Sequence, residues 1–260
     1  MKSIFTFSLA STLIAGSLSA AYNDRLYNGL DPAWEQSGSS LQGRLDLINS
    51  FLPANPVVFE VGAKDGDDSI KLARMWPTGT IISFEANPNQ FKFYEEKASN
   101  FSNMIGYNLA VNTYNGHATF HVCWGTGGTD PVFEGASSLL EPSKDMEIHY
   151  MGPKITVPCV IFDDWCRNNN VQKVDFMWLD LEGFESQFLS SSPKILSTVN
   201  AIYTETNFFK FRKGTTQFHD LTKLLASHGF TVIAHWYNEG LQGDAIFVRT
   251  SLLKQRKLIK

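Results

Sequence analysis

Cysteine, net charge and long apolar runs are all scarce in this chain of 260 residues, and each scarcity excludes something. The three cysteines, Cys123, Cys159 and Cys166, match no common zinc spacing, and an odd number leaves at least one thiol free within a single chain. A Cys159–Cys166 bridge is conceivable in an oxidising compartment, but burial as small apolar residues is the expected role of all three. The formal net charge is -4 and there is no basic stripe to neutralise phosphates, which argues against a nucleic-acid partner. The basic residues at 254–260 read as a solvated terminus. With 43% hydrophobic residues the chain can bury a full core, and neither repeats nor low-complexity segments break it into several units, so one α/β domain is expected.

One apolar run stands apart. Lys2 precedes Ile4 to Ala15, and the small residues Gly16 to Ala21 follow. This is the pattern of a cleaved export signal over 1–21, because the run falls short of the roughly 20 residues that span a bilayer. The expectation is a secreted, periplasmic or lumenal protein with no stable membrane span, a cytoplasmic one being the alternative. The oligomeric state is left open by the sequence.

The richest stretch runs from Val57 to Gly66, Val-Val-Phe-Glu-Val-Gly-Ala-Lys-Asp-Gly, where a β-branched run breaks into a glycine turn and then a helical pattern. Glu85 follows one βαβ unit later, at the end of the apolar run Ile81 to Phe84. A strand, a glycine turn, a helix, a second strand and a terminal acid make a nucleoside-binding half-site. The glycines let backbone N–H groups approach a ligand, and a carboxylate at the tip of the neighbouring strand can accept both hydroxyls of a ribose. A pyrophosphate loop needs Gly-x-Gly-x-x-Gly; here Lys64 and Asp67 stand at the second and third glycine positions. Asp65, Asp67 and Asp68 would repel a dinucleotide but attract the ammonium and sulfonium charges of S-adenosylmethionine. A methyl donor is therefore the better reading, and a nicotinamide oxidoreductase the poorer one. The plainer alternative, that the glycines merely turn the chain and the acids cap a helix, is outweighed by the placement of Glu85.

Along the chain, the pattern predicts a lead-in segment over 22–53 with a helix over 39–52, capped by Ser39 or Ser40 and ended by Pro53. A methyltransferase-like core over 54–250 follows, with helices at 67–75, 88–99 and 215–228. Strands are expected at 57–61, 80–84, 104–111, 174–180, 199–204, 230–236 and 244–249. The last two read as antiparallel, placing a reversed strand at one edge of a mostly parallel seven-stranded sheet with helices on both faces. An insert of short strands and loops at about 116–158 and a basic tail at 251–260 complete the chain.

Three acids end strands or follow them closely: Asp180, Glu182 and Glu205. Open α/β sheets bind their ligands at the carboxyl ends of strands, so these acids are the candidate general bases for deprotonating an acceptor hydroxyl. Which of the three serves is left open. Glu185 reads as a surface or helix-start acid, and no metal is assigned because no histidine accompanies the group. Trp124, Phe133, Tyr150 and Met151 of the insert, with Phe208, Phe209 and Phe211, offer a stacking platform for a sugar ring, core packing being the competing role for about half of them. Lys210, Arg212 and Lys213 would recognise an acidic substrate group or remain solvated.

Five blocks together resemble the FkbM family of class I S-adenosylmethionine-dependent methyltransferases: Phe59 to Gly66, Phe84 to Pro88, Ala136 to Leu139, Val157 to Asp164 and Asp175 to Glu185. The resemblance implies a Rossmann-like fold and transfer of a methyl group, usually to a hydroxyl of a sugar or other secreted or cell-surface metabolite. It also implies that Glu60, Gly62, Ala63 and Gly66 line the methionine part of the cofactor, that Glu85, with Ala86 beside it, holds the ribose, and that residues from Asn108 to Ala110 border the adenine. The expected partner is a small-molecule or glycan acceptor. The rival reading is a secreted, non-catalytic glycan-binding protein built on a methyltransferase scaffold.

Overall fold

The computed structural model describes residues 38, 40–128, 131–237 and 241–259. The expected export signal, the segment up to residue 37 and Ser39 lie outside the described residues. Ten strands, eight α-helices and two short 3-10 helices, Pro131–Ala136 and Lys144–His149, are described. In chain order they are α1 (Leu41–Asn49), β1 (Val57–Val61), α2 (Asp67–Met75), β2 (Thr80–Phe84), α3 (Pro88–Ala98), β3 (Met104–Tyr107), β4 (Ala110–Val111), β5 (Gly116–His121) and β6 (Lys154–Val160). After them come α4 (Phe162–Asn168), β7 (Phe176–Leu179), α5 (Glu185–Ser190), α6 (Pro193–Leu196), β8 (Ala201–Asn207), α7 (Phe218–Ser227), β9 (Phe230–Tyr237), β10 (Gln242–Arg249) and α8 (Thr250–Gln255).

Local chemistry sets several boundaries. Ser40 caps α1 by accepting from the Gly43 N–H, and Asn87 caps α3 with Pro88 at its first position. Gly66, at φ 84, adopts the left-handed turn that starts α2, and Asp67 and Asp68 then sit on the first turn where the helix dipole favours acids.

The main sheet has the order β3-β2-β1-β7-β8-β10-β9. The pairs from β3 to β8 are parallel, and β10 runs antiparallel to both β8 and β9. This is the Rossmann-like class I methyltransferase architecture. The reversed strand is not at the edge, however: it stands one place in, because β9 and β10 form a hairpin whose return strand inserts beside β8. The expected strand at 104–111 also divides. Met104–Tyr107 joins the main sheet, while Ala110–Val111 turns away to a three-stranded sheet of order β4-β6-β5.

Strand alternation produces two cores. On one face Phe59, Val61, Phe84, Leu179 and Phe247 pack with Phe162 and Trp165 of α4, Phe188 of α5 and Phe218 of α7. On the other, Val58, Trp178, Tyr203 and Ile246 pack with Ile48 of α1, Leu72 of α2, Tyr94 of α3 and Leu253 of α8. Residues 254–258 of the basic terminus are exposed as expected, while Leu253 just before them is buried and docks α8 on the sheet. All three cysteines are buried and unbridged. Arg44 fastens α1 to the far end of the sheet: it contacts the Tyr203 hydroxyl at 2.7 Å and Asp244 at 2.6 Å, and lies 4.3 Å from the Trp236 ring.

Phe59 is fully buried and meets Phe84, Phe162 and Trp165 with ring centroids 4.8–5.8 Å apart. Phe59→Ala is expected to lower the unfolding free energy by about 3–5 kcal/mol, the usual cost of emptying an aromatic core position. Urea denaturation followed by tryptophan fluorescence measures it.

Candidate active site

The chain turns out of β1 at Gly62, whose φ of 92 is left-handed, and the N–H groups of Gly62 and Ala63 both donate to the Phe84 carbonyl at 2.9 and 3.0 Å. A side chain on Gly62 would run into the backbone carbonyl of Asp180 at the end of β7. Glycine there is a packing requirement. Lys64 follows at φ 51, a region that residues with a Cβ enter at some cost in strain. Its N–H donates to Oε2 of Glu85 at 2.7 Å, and the Asn87 N–H donates to Oε1 at 2.6 Å.

This loop, the tip of β2 and the start of β4 enclose a cavity of about 370 Å³. Glu60, Gly62, Ala63, Glu85, Ala86 and Ala110 line it, as does Asp180. Two expected cofactor residues do not. Gly66 is spent on capping α2, with its Cα against Tyr94, and Asn108 turns its amide to the carbonyls of Glu85 and Ala86 at 2.8 and 3.3 Å. Asn108 shapes the loop instead of lining the cavity.

The three loop acids differ from expectation in their partners. Asp65 and Asp67 both pair with Lys97, at 2.7 and 2.6 Å, and Asp68 pairs with Lys71 at 2.6 Å. Their charges are largely met by lysines.

Glu60 is buried, and its Oε2 accepts from the hydroxyls of Ser69 and Ser83. Burial is the main reason its carboxyl is pushed up to about 8, against the pull of those two hydrogen bonds. Burial likewise lifts Glu85 to about 7, opposed by the backbone N–H groups of Asn87 and Lys64. Glu85 is thus held by backbone N–H groups of Lys64, Ala86 and Asn87 at the cavity wall.

Asp180, Glu182 and Glu205 do come together: one carboxylate oxygen from each lies within 4.8 Å of the others. Asp180 belongs to both this trio and the cofactor cavity. It is open to the cleft, yet protein surrounds it elsewhere, and that desolvation, followed by the charges of Glu182 and Glu185, raises its affinity for a proton. Glu205 is raised for the same reasons, burial first and then Asp180. Burial raises Glu182 as well, moderated by Arg212. Like charges this close favour sharing a proton. The same oxygens are of the donor type that a hard divalent cation takes, so the sequence reading of no metal is not enforced by the geometry.

Glu185 is no surface acid. It is buried at the start of α5, where its Oε1 accepts from the N–H groups of Leu181 and Gly183 and braces the turn that carries Glu182 at φ 51. Arg212 is neither solvated nor free for a substrate, since its guanidinium donates to the carbonyls of Ala136 and Leu140 and lies 4.3 Å from the Tyr150 ring. Lys213 pairs with Glu141 at 2.9 Å. Of the aromatic platform, Phe211 is buried and Phe208 packs on Phe218, His235 and Tyr237. Met151 and Phe209 remain exposed, at 43% and 39%.

The residue that sequence reasoning missed is Glu134. It lies in the insert, is buried, and accepts from Asn87 Nδ2 at 2.9 Å, Gln90 Nε2 at 3.0 Å and Trp124 Nε1 at 3.1 Å. It thereby clasps the insert to the start of α3, which brings Gly135, Ser137, Ser138 and Leu139 to the cavity wall. Nothing in the local sequence marks it, because its partners are distant in the chain.

Set against known proteins, residues 60–232 match the methyltransferase FkbM domain model. The chain belongs to the FkbM methyltransferase family. S-adenosylmethionine is accordingly its cofactor, and the cavity fits it: a glycine cradle closed to any side chain, a buried carboxylate lining it at the tip of β2, and acids at the open end. Over 218 residues the chain is 25% identical to the 2-O-methyltransferase NoeI of Sinorhizobium fredii, covering 82% of this chain and 88% of that protein. Among solved structures, a methyltransferase FkbM from Methylobacillus flagellatus KT is 9% identical, covering 75% of this chain and 44% of that one, with a TM-score of 0.49. The magnesium protoporphyrin IX methyltransferase ChlM of Synechocystis PCC 6803 is 12% identical, covering 94% and 100%, with a TM-score of 0.46.

Two outcomes follow for this methyltransferase. Glu60 binds its proton more tightly in the fold than its ordinary value of 4.5 allows in the unfolded chain, so its contribution to stability falls as pH rises from about 4.5 to about 8. The slope from this group is at most about 1.4 kcal/mol per pH unit. Glu60→Gln should flatten that part of a denaturation-versus-pH curve. Glu134→Ala strands three donors and is expected to cost about 1–3 kcal/mol of stability, read from urea midpoints.

Proposed function

We propose that this methyltransferase transfers its methyl group to a hydroxyl oxygen of a sugar or related polyhydroxylated small molecule. The observation that carries the reading is the position of Asp180, shared between the cofactor cavity and a trio of carboxylates. A neutral alcohol is a poor nucleophile until its proton leaves. A transfer site bordered by carboxylates whose proton affinity burial and mutual repulsion raise supplies stronger bases than exposed acids would. The 2-O-methyltransferase name of the relative from Sinorhizobium fredii supports the same chemistry.

When bound, the cofactor supplies an electrophilic methyl group on sulfur. The chain does the rest. Gly62, Ala63 and Ala110 shape the walls, and Glu85 at the tip of β2 is placed to accept from the ribose hydroxyls. With the cofactor bound, one carboxylate of the trio would take the acceptor hydroxyl's proton, the others keeping that carboxylate's proton affinity high, and the cofactor would supply the methyl group and leave as its neutral thioether. The convergence of acids also opposes phosphodiester acceptors by charge, in keeping with a glycan or small-molecule partner. We further propose that the protein is exported through its N-terminal segment, which places the acceptor outside the cytosol.

Asp180→Asn and Glu182→Gln keep shape and remove charge. Each is expected to leave S-adenosylhomocysteine affinity within a few-fold while cutting turnover by roughly 10²–10⁴-fold. The assay is transfer of labelled methyl to a panel of glycans. Labelling confined to protein or nucleic acid would reject the proposal, and full activity in both variants with an inactive Glu205→Gln would move the base to Glu205.

A further inference from the structure

We infer that Lys64 binds the α-carboxylate at the amino-acid end of the cofactor. The inference rests on the S-adenosylmethionine assignment and names a recognition residue for it. Three lysines surround the loop between β1 and α2, and two are already engaged. Lys71 pairs with Asp68, and Lys97 bridges Asp65 and Asp67. Lys64 lines the cavity, and its ammonium makes no ion pair or side-chain hydrogen bond with any described residue. The neighbouring acids have been claimed by other lysines, which leaves this ammonium for a ligand.

Its placement is held from two sides. The backbone sits at φ 51 and is pinned by the Lys64 N–H on Glu85, the acid at the ribose position. Strain of this kind persists where surrounding contacts over-determine it. From the insert, Gly135 lies along the Lys64 stem: an added Cβ there would be 2.8 Å from Cε and 3.0 Å from Nζ. A glycine at this point makes room for the lysine, and the Glu134 clasp next to it fixes that glycine in place.

The cofactor presents an uncharged adenine, ribose hydroxyls, a cationic sulfonium, a cationic ammonium and one anion, the carboxylate. The cavity wall carries Glu60, Glu85 and Asp180, groups suited to hydroxyls and cations and unsuited to an anion. A carboxylate needs a cation there, and Lys64 is the lining cation that no other group has taken. A lysine provides a point charge with rotatable donors, enough for a carboxylate that approaches from one side.

Calorimetric titration of the full chain with two ligands tests this. S-adenosylhomocysteine carries the carboxylate; S-adenosyl-3-thiopropylamine keeps the amine and lacks it. Lys64→Gln should weaken the first by about tenfold and the second by less than twofold, and Lys64→Arg should retain most of the affinity for the first. Lys64 is exposed, so both variants keep the fold. Equal losses for both ligands would make Lys64 a loop-shaping residue and overturn the inference, as would unchanged S-adenosylhomocysteine binding in Lys64→Gln. A wild-type chain that binds neither ligand would instead strike at the cofactor assignment itself, and at this inference with it.

Discussion

The site depends on one close approach. At Gly62 the backbone leaves β1 against the carbonyl of Asp180 at the end of β7, in a space that admits no side chain. Because β1 and β7 are neighbours in register, with Val61 opposite Leu179, the turn that forms the cofactor cradle and the turn that carries the acids touch at this point. The cradle and the acid trio are thus two sides of a single junction. Methyl transfer needs donor and acceptor within bonding reach and in line, and a junction without intervening side chains is a direct way to meet that demand.

Around the junction, burial does most of the electrostatic work. Glu60, Glu85, Glu182, Glu185 and Glu205 all hold protons more tightly than exposed acids, and desolvation is the leading cause in each. They divide by what meets their oxygens. Both Glu185 and Glu85 accept from backbone N–H groups, but Glu185 holds a turn away from the cavity whereas Glu85 lines it. Asp180, Glu182 and Glu205 lie against one another, with Glu205 also accepting from Gln242 Nε2 at 3.1 Å and Glu182 facing the charge of Arg212. The insert completes the enclosure by way of Glu134 and Arg212, two buried charged groups whose hydrogen bonds run from the insert to the α3 side and from the segment after β8 to the insert. The insert has a small core of its own, in which Ala118, Phe120, Val122, Val157 and Cys159 pack together, and these bonds tie that unit to the rest of the fold.

Much of the fold was legible in the sequence because hydrophobic period and turn chemistry are local signals. The runs at 57–61 and 80–84 and the proline-started helix at 88 emerge as expected. The misreadings share a cause. Tyr107 to Ala110 looks like one continuous strand, but the chain changes sheets there to serve β6, a partner about 50 residues away. The reversed strand looks like an edge strand because pairing order is invisible to periodicity. Arg212 looks like a surface cation because nothing in its neighbourhood announces the carbonyls of Ala136 and Leu140.

By itself the sequence determined the α/β class, the family and the cofactor and singled out three acids as candidate bases, since each follows from residue types at short spacings: a glycine turn after a β-branched run, an acid at a strand tip, Asp-x-Glu-Gly-x-Glu after a buried strand. The tertiary structure alone decided which charged groups are spent on one another and which are left over. Asp65, Asp67 and Asp68 went to lysines, Glu134 to the clasp and Glu185 to its turn, while Lys64 and the Asp180 trio stayed open to ligands. The reason is distance: a charge is neutralised by whatever lies within a few ångströms of it, and folding brings to that range residues that the chain holds tens of positions apart.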